Sequence, residues 1–150
     1  MTVEAHYPAP GGDIDPGPAE RIDVFLGTPA QAKGAPAWQQ AQRYIEKVQA
    51  RDFAGLPDLF TDDAIIFPPL RRKPVVGRAE IEDFYINTVA KVCPHVIAIS
   101  IFGEGNECFM ELATQFDVEG EPRYVLTTID HFTIAADGRF SRMIVYVRPS

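Results

Sequence analysis

The sequence predicts a single α+β domain in which about three helices precede a strongly curved, mainly antiparallel sheet. Three observations carry this expectation. Apolar residues recur at helical spacing between positions 38 and 92, and four β-rich runs separated by turn-forming residues fill positions 96–147. A chain of 150 residues with 46% hydrophobic and 23% charged residues fits one globular unit, able to bury about 70% of the surface its unfolded form exposes.

Residues 1–36 differ from the rest. Pro8, Pro10, Gly11, Gly12, Pro16, Gly17, Pro18, Gly27, Pro29, Gly34 and Pro36 interrupt any helix or strand, so this segment is an arm ahead of a domain spanning 37–150. Ile22, Val24, Phe25 and Leu26 form an apolar knot within it, suited to lying across the domain or a neighbouring subunit.

Trp38, Ala41, Tyr44, Ile45 and Val48 share one face of a first helix that reaches about Arg51. Asp52 is positioned to cap a short second helix through Leu59, with Pro57 tolerable only in its first turn. Asp63–Phe67 reads as a strand ended by Pro68 and Pro69, and Pro74 and Gly77 suggest a loop. Ile81, Phe84, Tyr85, Thr88, Val89 and Val92 mark a third helix, stopped by Pro94, with Glu80, Glu82 and Asp83 near its positive end. The β-rich runs are Val96–Phe102, Phe109–Val118, Tyr124–Ala135 and Phe140–Val147, with turns at 103–106, 119–122 and 137–138.

Alternation along the third of these runs sets Leu126, Thr128, Asp130, Phe132 and Ile134 on one face. The preceding run contributes Met110, Leu112, Thr114, Phe116 and Val118 in the same way, and Glu111, Gln115 and Asp117 fall opposite. Asp130 thus interrupts an apolar face. A carboxyl group there is costly to ionise and tends to stay a neutral acid that donates a hydrogen bond. A structural aspartate satisfied by a neighbouring backbone N–H or hydroxyl fits the same pattern, as a core role fits Tyr44.

A net charge of −7 opposes binding to phosphate backbones and anionic lipid, so neither nucleic acid nor membrane is an expected partner. The one basic cluster, Arg71-Arg72-Lys73, is short. Cys93 and Cys108 lack metal-ligand spacing, and no cationic, apolar leader opens the chain, so the expectation is a reduced cytoplasmic protein without a metal site.

Several segments together resemble bacterial Δ5-3-ketosteroid isomerases: Arg43 to Val48, Asp52, Leu59 to Ala64, Pro74 to Arg78 with Ile81, Phe84 and Tyr85, then Gly120 to Pro122, Ile129-Asp130, Asp137 to Arg139 and Met143. The likeness runs from about Trp38 to Arg148 and extends to the SnoaL-like, or nuclear-transport-factor-2-like, domains, which include both enzymes and binders. It implies a cone-shaped domain, helices on a mixed sheet, and a homodimer through the outer sheet face, where Glu111 and His131 would lie. It also implies an oxyanion site: Tyr44 and a protonated Asp130 fall on the two donors that stabilise a dienolate oxygen, with Tyr85 supporting Tyr44.

One position departs from that pattern. Counted without a gap between Asp62 and Gly77, Pro68 occupies the place of the general base, and Phe60 stands where some members carry a third tyrosine. Asp62, Asp63, His95 or a residue of the arm are candidate replacements. The resemblance then implies a cofactor-independent acid–base enzyme, an isomerase, lyase or cyclase, for a hydrophobic carbonyl or phenolic small molecule. Ile66, Pro68, Met110, Leu112, Phe116, Phe132, Met143 and Val145 are the expected pocket lining. A non-catalytic binder of an apolar ring system and an epoxide-opening hydrolase or cyclase are the alternatives.

Overall fold

The structure, a computed structural model, describes residues 35–69, 73–92, 95–118 and 121–147, with backbone alone for 92, 115–118 and 121–126. The arm with Ile22, Val24, Phe25 and Leu26, the pair Arg71 and Arg72, Cys93, Pro94 and the side chain of Phe116 lie outside the described residues.

Helix α1 spans Pro36–Gln49, with proline in its first turn, where the missing N–H has no helical partner to lose. Its buried stripe is Ala37, Gln40, Ala41, Tyr44, Ile45 and Val48. The polar member is satisfied at both ends: Gln40 Nε2 donates to the Leu59 carbonyl, and Gln40 Oε1 accepts from Arg43 Nη1. Asp52 caps a turn and not an α-helix. Its Oδ1 accepts from the Gly55 N–H at 3.0 Å and its Oδ2 from Lys47 Nζ at 2.7 Å. The chain then makes a single 3-10 turn, Leu56–Leu59, because Gly55 and Pro57 leave too few residues for an α-helix before the next strand.

Strand β1 runs Phe60–Phe67, three residues earlier than expected, since Phe60 already pairs with the last strand. The stretch read as a loop contains a two-residue strand β2, Val75–Val76, antiparallel to β1. The third helix is not regular. It comprises α2 (Arg78–Phe84), a π-helical turn (Tyr85–Val89) and α3 (Ala90–Val92).

Strands β3 (His95–Glu104), β4 (Glu107–Val118), β5 (Glu121–Ile134) and β6 (Phe140–Val147) form an antiparallel meander. The expected runs match these strands, which extend further into their hairpins. The six-stranded sheet has the order β2-β1-β6-β5-β4-β3, and β1 against β6 is the parallel pair that makes it mixed. Register shifts interrupt four of the pairings, each adding local bend and twist to the sheet.

Helix α1 lies along β3 on the inner face. Its first turn is joined to the β3–β4 hairpin by the Ala37 N–H and the Gly105 carbonyl, and Gln49 Nε2 near its end donates to the Val96 carbonyl. Gly103 permits the close approach, because a Cβ there would sit 3.2 Å from the Trp38 backbone nitrogen. Between helices and sheet, Phe60, Phe132 and Phe140 are essentially fully buried beside Tyr44 and Tyr85. The Phe132 and Phe140 rings stack 4.4 Å apart, and Phe60 meets Phe140 at 5.2 Å. Each such ring removed from water contributes about 1.5–3 kcal/mol.

Candidate active site

The pairing register builds the site row by row. One inward row runs Ile101–Met110–Asp130–Val145 across β3, β4, β5 and β6. The next runs Gly103–Cys108–Phe132–Met143–Ile66 and ends on β1. On the other side lie Ala98, Leu112 and Thr128. Asp130 is therefore surrounded by apolar side chains on the central strand, and it is 3% exposed.

Asp130 is the one buried carboxylic acid among the described residues. Burial pushes its pKa up to about 8, so at neutral pH it is mostly protonated. A carboxylic acid in its neutral form has one O–H to donate.

The two tyrosines come together above this row. Tyr44, from α1, packs its ring 5.0 Å from Phe132, the next inward residue on β5 after Asp130. Tyr85, which opens the π turn, has its hydroxyl 3.1 Å from that of Tyr44. The same hydroxyl lies 3.5 Å from Met143 Sδ on β6. Tyr85 has one proton, so donation to Tyr44 and donation to the weaker sulfur acceptor are alternatives. When Tyr85 donates to Tyr44, the Tyr44 oxygen is the acceptor. Burial drives the Tyr85 hydroxyl well above the ordinary tyrosine range; its bond to Tyr44 works against that rise and a charge on Asp130 would add to it.

The expected lining is apolar. Ile66, Met110, Leu112, Phe132 and Met143 are buried, Val145 is partly buried, and Pro68 is buried at the end of β1. Phe67, the last residue of β1, pairs with Ile144, which precedes the Asp130 partner Val145 on β6. Phe60 packs 6.1 Å from Tyr85.

The other candidate acids and bases point elsewhere. Asp62, Asp63 and His95 are exposed, and Asp62 lies 3.7 Å from Arg139. Glu111 and His131 fall on the outer face as alternation predicts. Glu111 accepts from Ser100; His131 stacks on Phe109 at 4.2 Å and shares a 2.6 Å hydrogen bond with Glu107. Cys108 belongs to the inner face, where burial pushes its thiol up to about 12 and leaves it inert. Among the described residues no group of three or more metal-ligating side chains converges, and no helix is long and apolar enough to cross a membrane.

The sulfur of Met143 was not legible as a hydrogen-bond acceptor, because 58 residues separate it from Tyr85 and methionine on an apolar strand face reads only as filling. The π turn also escaped the sequence, since Tyr85 suits a regular helix equally well.

A chain from Nocardioides simplex named steroid Delta-isomerase is 32% identical over 108 residues, covering 71% of this chain and 85% of the relative. Two solved structures share the fold. One is an NTF-2 like protein of unknown function from Burkholderia xenovorans LB400, at TM-score 0.63 and 20% identity, covering 77% of this chain and 84% of the other. The second is the epoxide hydrolase/cyclase-like enzyme SalBIII, associated with pyran ring formation in the polyether salinomycin, at TM-score 0.66 and 20% identity, covering 73% and 88%. The family model described as the SnoaL-like domain matches residues 41–143, most of the described fold, and this chain belongs to that family.

Proposed function

We propose that the chain is a cofactor-independent acid–base enzyme of the isomerase, lyase or cyclase type. It takes a hydrophobic carbonyl or phenolic compound against the inner sheet face, with Tyr44 and Asp130 donating to the substrate oxygen and Tyr85 supporting Tyr44. The observation that carries this reading is the one buried carboxylic acid among the described residues, kept mostly protonated at neutral pH by burial, within an apolar row near a hydrogen-bonded tyrosine pair. Neutral donors in a low-dielectric site stabilise negative charge developing on an oxygen, and one such donor contributes about 3–4 kcal/mol. The relative named steroid Delta-isomerase supports a carbonyl substrate of this kind.

Pro68 carries no exchangeable proton and accepts none through its side chain. A Δ5-3-ketosteroid isomerisation needs a base to move a carbon-bound proton, so the natural chain is expected to turn over such a substrate weakly or not at all. Pro68→Asp places a carboxylate just past the end of β1 and should gain isomerase activity, followed by the absorbance of the conjugated ketone. Adding Asp130→Asn or Tyr44→Phe should cut that gained rate about 100-fold or more. Unaltered rates in those double variants, or rapid isomerisation by the natural chain, would overturn the assignment. Tight binding of phenolic steroids without turnover by any variant would identify a binding protein instead.

A donor without a base also favours epoxide opening, in which Asp130 protonates the epoxide oxygen while a hydroxyl of the substrate attacks carbon and releases its own proton to the Asp130 carboxylate. The structural likeness to an epoxide hydrolase/cyclase-like enzyme supports this second reading. Loss of epoxide opening in Asp130→Asn, with binding retained, is its test.

The homodimer would use the outer sheet face. Phe102, Phe109, Ile129 and Tyr146 are between 41% and 61% exposed there on four consecutive strands, a larger contiguous apolar surface than isolated surface residues produce.

A further inference from the structure

We infer that Thr128 and Thr114 form the far end of the site and bind a second oxygen on the substrate, an alcohol or a ketone. The chain then takes an elongated ring compound oxygenated at both ends. This deepens the reading of Tyr44 and Asp130 as donors to the first oxygen and rests on it.

Five buried polar side chains lie among the described residues: Gln40, Thr61, Thr114, Thr128 and Asp130. Gln40 is satisfied by Leu59 and Arg43, and Thr61 belongs to β1. The other three share the inner face of two neighbouring strands. Thr128 is the inward residue before Asp130 on β5 and pairs with Leu112; Thr114, two residues past Leu112 on β4, pairs with Leu126. The line from Asp130 through Thr128 to Thr114 leads away from the tyrosine pair, since Tyr44 packs on Phe132, on the opposite side of Asp130. Along β5, Thr128 lies about 7 Å from Asp130, and the level of Thr114 about 14 Å from it.

Burial relaxes in the same direction. Exposure is 0% at Phe132, 3% at Asp130 and 7% at Thr128. Val147, the β6 partner of Thr128, and Val96, the β3 partner of Thr114, are only partly buried. The neighbours Leu112, Val96 and Val147 are apolar. Valine would suit both strand positions and fill nearly the same volume without a hydroxyl to desolvate, so packing alone gives no reason for threonine at each. A buried hydroxyl calls for a hydrogen-bond partner, and that of threonine can donate or accept. An alcohol or ketone on the ligand is such a partner, and a fused four-ring skeleton holds two oxygens apart by a distance of this order.

The test compares two phenols that differ only at the far end: oestradiol, and 17-deoxyoestradiol, which lacks the alcohol. Equilibrium dialysis gives their dissociation constants for the natural chain, Thr128→Val, Thr114→Val and the double variant, with circular dichroism to establish folding. The natural chain should hold oestradiol about tenfold more tightly than the deoxy compound. The double variant should bind the two alike, keeping its affinity for 17-deoxyoestradiol, and each single variant should lose part of the preference. A packing role for the threonines would move both probes together. Equal affinities in the natural chain, a preference that survives in the double variant, or parallel loss of both probes would overturn the proposal. Unfolding of all three variants would do the same, since the hydroxyls would then serve the fold. Tyr44→Phe and Asp130→Asn probe the first oxygen separately and should weaken both phenols alike. If they weaken neither, the donor reading fails, while the threonine comparison still decides whether an oxygen is bound at the far end. A natural chain that binds neither phenol overturns both.

Discussion

Burial of Asp130 ties the stability of the fold to pH. Its carboxyl has a pKa of about 8 in the folded chain against about 3.9 in an unfolded one. Between those values the unfolded chain has released the proton that the folded chain keeps. Unfolding is thus favoured as pH rises, by up to about 1.4 kcal/mol per pH unit from this group. Its contribution is complete below pH ~4 and is lost progressively as pH rises to about 8. Denaturant unfolding at pH 5 and pH 8 should show the natural chain weaker at pH 8, and Asp130→Asn should flatten that difference. An equal slope in the variant would mean that other groups set it. The neighbouring rings obey packing alone: Phe140→Ala opens a cavity between Phe60, Phe132 and Tyr44 and should cost about 3–5 kcal/mol, read from the denaturation midpoint.

At the level of elements, α1 delivers Tyr44 only because the helix lies close against β3. Gly103 is the contact that allows it. A Cβ at that position would meet Trp38 Cβ and N at 3.2 Å and the Glu107 carbonyl at 3.3 Å. Two of these three neighbours are backbone atoms with little room to yield. Gly103→Ala should therefore destabilise the domain by about 1–3 kcal/mol and shift the first turn of α1, measurable as faster hydrogen exchange at Ala37 and Gln39. The helix itself was readable from sequence, since the spacing of Ala41, Tyr44, Ile45 and Val48 requires only local geometry. The 3-10 turn and the π turn were not, because the same residues suit an α-helix and only the fit to β1 and the core selects the variant.

For the whole molecule, the two sheet faces divide the labour. The inner face holds Asp130 and the apolar rows; the outer face carries Phe102, Phe109, Ile129 and Tyr146 among Glu107, Glu111, His131 and Arg142. If a second copy covers that outer face, Phe109→Glu should shift the mass measured by light scattering from dimer to monomer, leaving the inner site intact. An unchanged mass would exclude the face as the interface.

Sequence by itself determined the α+β class, the four-stranded meander and the inward direction of Asp130, because helical period and strand alternation are properties of neighbouring residues and survive without knowledge of what packs where. Only the tertiary structure decided that Tyr44 and Tyr85 share a hydrogen bond and that Met143 offers a competing acceptor. Those are relations across 41 and 58 residues of chain. Such relations follow from strand register and helix docking, which are set by the packing of the whole core and not by any local pattern.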